Sequence, residues 1–187
     1  NGPETKPVAL FESGAILLYL AEKSGRLLPA AERERYEVIT WLFWQTSSQG
    51  PLLGQAAHFV SHARQRGIQD DYVIERYRNE ALRLYDVLES RLEGRNHICG
   101  DYSIADIAAF PWVRVAKGQG VNLDRYPNVA RWCETLAARP SARKKLDRDQ
   151  ATTAVAATKY YDDETWRILF DNSRRPGIDF LKVTKAS

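Results

Sequence analysis

Glu12 and Ser13 stand together where a short apolar run, Val8-Ala9-Leu10-Phe11, gives way to a segment rich in Ala, Leu, Ile, Glu and Lys. That segment, residues 13–24, favours helix, so the pair falls at a helix N-terminus. The first amides of a helix have no partners within it and carry a partial positive charge. Such an end suits a carboxylate or a phosphate. The Ser13 hydroxyl adds a donor at the same spot, and the Glu12 carboxylate can pair with an ammonium group. A ligand with both an α-carboxylate and an α-amino group would satisfy all three. The alternative is that Ser13 only caps the helix.

Other residue types capable of chemistry read as structural. In Tyr102-Ser103-Ile104-Ala105-Asp106-Ile107, Ser103 can cap a helix while Asp106 reaches back to the cap amide, with Tyr102 and Ile107 spaced as a hydrophobic staple. This is a capping box, not a catalytic acid. Its loss is expected to cost about 0.5–2 kcal/mol. His58 and His62 are four apart, a spacing compatible with a metal, yet zinc takes about four ligands and no nearby Cys or carboxylate completes a set. No metal site is expected. Cys99 and Cys133 lack zinc spacing, a disulfide framework and a basic neighbourhood that would activate a thiol. Trp41 and Trp44 are large enough that packing is their default role. Arg76, early in a long helix, reads on its own as a solvated charge.

The elements that position these residues are mostly helices. Val8–Phe11 reads as a strand too short to stand without a sheet partner. Gly25 stops the first helix. A helical region follows from about Glu32 to Arg66, with a kink or break expected at Gly50-Pro51. A helix from Asp71 to Glu93 carries a buried stripe of Tyr77, Ala81, Leu84 and Leu88. The helix opening at Ser103 is expected to bend at Pro111. Another covers Asn128–Ala138, with Val129, Trp132, Cys133 and Leu136 inward, and a short charged one covers Ser141–Arg148. Residues 150–160 read as extended, Trp166–Phe170 as a short periodic segment after an acidic first turn, and 171–187 as a mobile tail.

The composition excludes several classes. Lys and Arg number 27 against 24 Asp and Glu, for a net charge of +3, and the two signs interleave. A nucleic-acid binder would concentrate a basic face. No apolar run approaches the roughly 18 residues of a membrane span. With two cysteines and no signal-peptide pattern at residue 1, a reducing, cytoplasmic setting is expected. The chain has no methionine and starts at Asn1 within a turn-like stretch, so further residues are expected before it.

The stretch Phe11-Glu12-Ser13-Gly14-Ala15-Ile16-Leu17-Leu18-Tyr19-Leu20 closely resembles the Glu-Ser signature of glutathione transferases. The resemblance continues in Trp41-Leu42-Phe43-Trp44-Gln45, Gly50-Pro51-Leu52-Leu53-Gly54-Gln55, His58-Phe59 and Ile74-Glu75-Arg76-Tyr77. That combination resembles the nu class, which includes bacterial disulfide-bond oxidoreductases. It spans residues 1 to about 148, with a fainter likeness at 162–170.

The resemblance implies a mainly α chain. The last strand and helix of a thioredoxin-like α/β domain would occupy residues 1–27, an all-helical domain 31–149, and an extended tail with a short helix 150–187. It implies an enzyme that binds glutathione through Glu12, Ser13 and Arg76. The thiol would serve in conjugation or disulfide reduction, and Gln55, His58 and Phe59 would line the mouth of the electrophile pocket. The thiol-activating residue would lie before residue 1, so residues 1–187 alone are expected to be inactive. A homodimer is also implied. The rival reading is a non-catalytic interaction module of the same fold, which need not keep Glu12-Ser13.

Overall fold

The computed structural model describes residues 9–143 and 162–170. The chain divides into two units, residues 1–143 and 144–187. In the first, α1 (Ser13–Ser24) leads into α2 (Glu32–Trp44), α3 (Gly50–Ala57) and a last turn, α4 (Ala63–Gln65). Then come α5 (Asp71–Leu92), α6 (Ile104–Val113) and α7 (Pro127–Ala137). The second unit shows one helix, α8 (Asp163–Phe170), in which the rings of Trp166 and Phe170 pack at 4.6 Å. The expected features at 144–161 and 171–187 lie outside the described residues.

The helix ends follow local chemistry. Gly25 and Gly94 take the left-handed backbone, φ 63° and 64°, that a side chain would resist. Asp70 caps α5 by accepting from the Val73 amide at 3.0 Å. The first turn of α7 borrows its cap from another helix: Glu89 on α5 accepts from the Asn128 and Val129 amides and from Asn128 Nδ2.

The core lies where α3 packs on α5, α1 and α2 on α6, and α5 and α6 on α7. Leu53, Leu84, Leu88, Val113, Val129 and Trp132 are fully buried there. Ala81, Leu84 and Leu88 form the expected stripe, with Tyr77 half-buried at its start.

Gly50-Pro51 does not break the helix. Helical backbone runs without a loop from Glu32 to Gln65, through two π-helical turns at Gln45–Gln49 and His58–His62. In each the ring of hydrogen bonds widens, so that Gly50 donates to Gln45 O and Ala63 to His58 O. The wider turn precedes Pro51 directly. It absorbs the missing amide and the ring clash that would otherwise kink the axis. Gly50 and Gly54 then offer a flat face to Trp112, whose ring lies 3.4–3.8 Å from where their Cβ atoms would be.

Ala9, Leu10 and Phe11 form no strand, because a strand requires a pairing partner and the described residues supply none. On α1, Leu17 and Leu18 pack against the core, whereas Ile16 and Leu20 are exposed, as is Phe11 just before the helix at 81%. Between α1 and α2, Leu27 adopts a left-handed φ of 68°, and its carbonyl accepts the Ile104 amide at the start of α6.

Candidate functional site

The turn that opens α1 is built around an unusual backbone. Glu12 holds φ 66° and ψ 120°, a region that favours glycine. Holding a glutamate there costs on the order of 1–3 kcal/mol, and such outliers gather at functional sites. Its carbonyl accepts the Ile16 amide at 3.0 Å, so Glu12 is the N-cap and Ser13 already lies inside the helix. No side chain caps this end. The reading of Ser13 as a simple cap is therefore not what the geometry shows. The amides of Ser13, Gly14 and Ala15 remain without helical partners, and both the Ser13 and Glu12 side chains are exposed. This turn rests on the first π turn: an added Cβ at Gly14 would stand 3.0 Å from Thr46 Cγ2.

A second grouping forms around the other π turn. The His58 ring meets Phe59 edge-on at 4.9 Å, and Phe59 stacks on Tyr77 at 5.4 Å with the planes 5° apart. This pairing places Arg76 one residue from the ring that Phe59 faces. Arg76 is 54% exposed and pairs with Glu80 at 3.3 Å, while Arg83 holds the same carboxylate at 2.8 Å. The Arg83 bond, then the Arg76 pairing, keep the Glu80 carboxyl below its usual range. Gln55 is exposed on α3, one turn before His58. Burial lowers the pKa of both histidines, and His62 lowers that of His58 further. Ser61, in the same turn, donates to Gly118 O at 2.7 Å and fixes the turn against residues 116–120.

The remaining candidates are structural in their geometry. The capping box is formed: Ser103 Oγ accepts from the Ala105 amide, and Asp106 Oδ2 from the Ser103 amide at 3.0 Å. Asp106 is wholly buried, and its other oxygen accepts from the Ile98 amide and from Trp132 Nε1 at 2.9 Å. Burial pushes both the Cys99 and Cys133 thiols up to about 11, so they are protonated at neutral pH. For Cys99 this outweighs the opposing pull of Arg91. Among the described residues no three His, Cys, Asp or Glu side chains gather to hold a metal, and no helix is long and apolar enough to cross a membrane.

Sequence reasoning missed Thr46, Tyr77 as the partner of Phe59, and Trp132 as a donor to Asp106. The glycines four apart, Gly50 and Gly54, were a visible sign of close approach. The other contacts had no local signal.

The arrangement, a helix N-terminus with an exposed serine followed by a helical unit, is that of a glutathione transferase, and the chain belongs to that family. Residues 54–140 match the glutathione S-transferase C-terminal domain. The chain is 49% identical over 146 residues to the disulfide-bond oxidoreductase YfcG of Escherichia coli, covering 78% of this chain and 66% of that protein. It superposes on a glutathione transferase from Burkholderia graminis, solved with two glutathione molecules per subunit. The TM-score is 0.72 and the identity 45%, over 79% of this chain and 63% of that one. For the transferase Ure2p5 of Phanerochaete chrysosporium, crystallised with 1-(S-glutathionyl)-2,4-dinitrobenzene, the TM-score is 0.68 and the identity 32%, over 80% of this chain and 72% of that one. The chain spans between half and two thirds of the length of the first curated relatives it matches.

Proposed function

We propose that the turn at Glu12–Ala15 holds the γ-glutamyl end of glutathione, and that the protein uses the glutathione thiol in disulfide reduction or conjugation. The observation that carries this is the uncapped N-terminus of α1 behind the left-handed Glu12. The α-carboxylate meets the free amides and the Ser13 hydroxyl. The Glu12 carboxylate pairs with the α-ammonium. His58, Phe59 and Gln55, with Tyr77 behind Phe59, line the side where the second substrate enters, and Arg76 reaches the glutathione from α5. Similarity to a disulfide-bond oxidoreductase favours disulfide reduction over conjugation. Two free, protonated cysteines suit a reducing cytoplasm.

Calorimetric titration with glutathione in the full-length protein tests this reading. Ser13→Ala should weaken binding by about 1.5–3 kcal/mol, the value of a charge-assisted hydrogen bond. Arg76→Ala should weaken it less, because that guanidinium is solvent-exposed and shares Glu80 with Arg83. Full retention of affinity in both variants would remove Ser13 and Arg76 from the glutathione contacts, and absence of glutathione binding in the unsubstituted protein would favour the non-catalytic reading of the fold.

The protein is also proposed to form a homodimer. Tyr36, Thr40 and Phe43 form one exposed stripe of α2 at helical spacing, with Tyr36 60% and Phe43 64% exposed. Trp41 and Trp44 are not part of it. They pack against the core edge-on to each other at 5.1 Å, with Arg91 stacked on Trp41.

A further inference from the structure

The first π turn is costly for what it contributes to packing. It buries two glutamines, Gln45 and Gln49, and Gln49 Oε1 finds no hydrogen-bond partner among the described residues. It faces a gap lined by Leu53, Leu84, Tyr85, Leu88 and Val113. A buried, unsatisfied amide oxygen is destabilising, and a π turn has poorer geometry than the α-helix it interrupts. Accommodating Pro51 accounts for a widened turn at this point, but not for the unsatisfied glutamine within it. The feature that answers to this cost lies on the turn's other side, where Thr46 meets Gly14.

We infer that the π turn Gln45–Gln49 is the seat that sets the position of the glutathione-holding turn, with Thr46 as the positioning residue and Gly14 as its required counterpart. The inference rests on the proposed role of Glu12–Ala15. Thr46 Cγ2 comes within 3.0 Å of the Gly14 Cβ position, closer than a methyl normally approaches a carbon, and Leu42 Cγ lies 3.9 Å away on the same side. Only a glycine lets α1 sit this low. The threonine cannot swing aside freely, because its hydroxyl donates to Phe43 O at 3.2 Å and its branched Cβ restricts χ1 in a helix. The extra residue of a π turn rotates everything after it by about 100° relative to an uninterrupted helix. One insertion therefore sets two faces at once: Thr46 under Gly14, and Gly50 with Gly54 under Trp112. Ser13 and the amides that meet the carboxylate are adjacent to Gly14, so a few tenths of an ångström at this contact move every donor of the turn together.

The test is a rescue series in the full-length protein, read by glutathione titration, steady-state kinetics and thermal unfolding. Gly14→Ala adds the Cβ that meets Thr46. It should raise the glutathione Kd and KM about tenfold, the loss of roughly one well-placed charge-assisted bond, and leave kcat nearly unchanged, as loss of uniform binding does. The unfolding midpoint should not fall in proportion, because alanine is the better helix former. Gly14→Ala with Thr46→Ser removes Cγ2, keeps the hydroxyl bond to Phe43 O, and should restore most of the affinity. Gly14→Ala with Thr46→Val keeps the methyl and should not. Unchanged affinity in Gly14→Ala, or equal behaviour of the two double variants, would overturn the inference. Ser13→Ala, run in parallel, judges the site itself: rescue by Thr46→Ser without any effect of Ser13→Ala would leave the seat standing and transfer the carboxylate to the backbone amides alone.

Discussion

Asp106 shows how far a residue's role can exceed its motif. A capping box needs one carboxylate oxygen, directed at the Ser103 amide. Here the second oxygen gathers the Ile98 amide and the Trp132 indole, tying α6 both to the loop before it and to α7. Asp106→Ala would leave these donors buried without partners, each at about 1–3 kcal/mol. The expected loss is therefore about 3–5 kcal/mol, above the 0.5–2 kcal/mol of a simple cap. Chemical denaturation of the two proteins would show it, and a loss confined to the cap range would mean that Trp132 and Ile98 find other acceptors. Ser103 and Asp106 were legible because their partnership spans three residues. The Trp132 bond was not, because it closes across the fold from a different helix.

The elements divide in the same way. Helix ends at Gly25, Gly94 and Ser103 are local events, and residue type announces them. The π turns are not announced. Gln45–Gln49 and His58–His62 have compositions that any helix could hold, and they arise because α2, α3 and α4 must present successive faces to α1, α6, α5 and the 116–120 turn. Pro51 pointed to a break because its local effect is disruptive, and the turn before it removes the conflict. The second π turn carries its own pH signature. His58 and His62 have lowered pKa values in the folded state, chiefly from burial. Above the ordinary histidine value of about 6.5 both states are neutral and stability is fully present. Below it the unfolded chain takes protons first, so stability falls as pH drops through the lowered folded values. The unfolding midpoint should decline as the pH falls below the ordinary histidine value of about 6.5. Replacing both histidines with glutamine should flatten that decline, and an unchanged slope would assign it to other groups.

At the scale of the molecule, the mainly helical architecture and the family were readable from Glu12-Ser13 onward, because the signature residues sit at helix starts where sequence and geometry coincide. The contacts within the second grouping of candidate residues were not. Phe59 and Tyr77 come from different helical segments, and only the folded chain brings their rings together, one residue along the chain from Arg76. The exposed stripe of Tyr36, Thr40 and Phe43 makes the prediction for assembly. Sedimentation of the full-length protein should show a dimer at micromolar concentration, and Phe43→Glu should shift it toward monomer by burying an unpaired charge at the interface. A protein that sediments identically with and without the substitution would move the interface to another face.

Leu27 has a consequence for how the opening of this fold could be timed. The amide of Ile104 is the first of its helix, a position whose proton normally exchanges freely with solvent. Here its acceptor is the Leu27 carbonyl, which belongs to the connection between α1 and α2 and is held in a left-handed turn that leucine disfavours. Protection of that single proton therefore requires the connection to be docked, whatever the state of α6 itself. Deuterium uptake at Ile104, compared with the amides deeper in α6, becomes a clock for local excursions in which the helix bearing Ser13 lifts from the core without global unfolding.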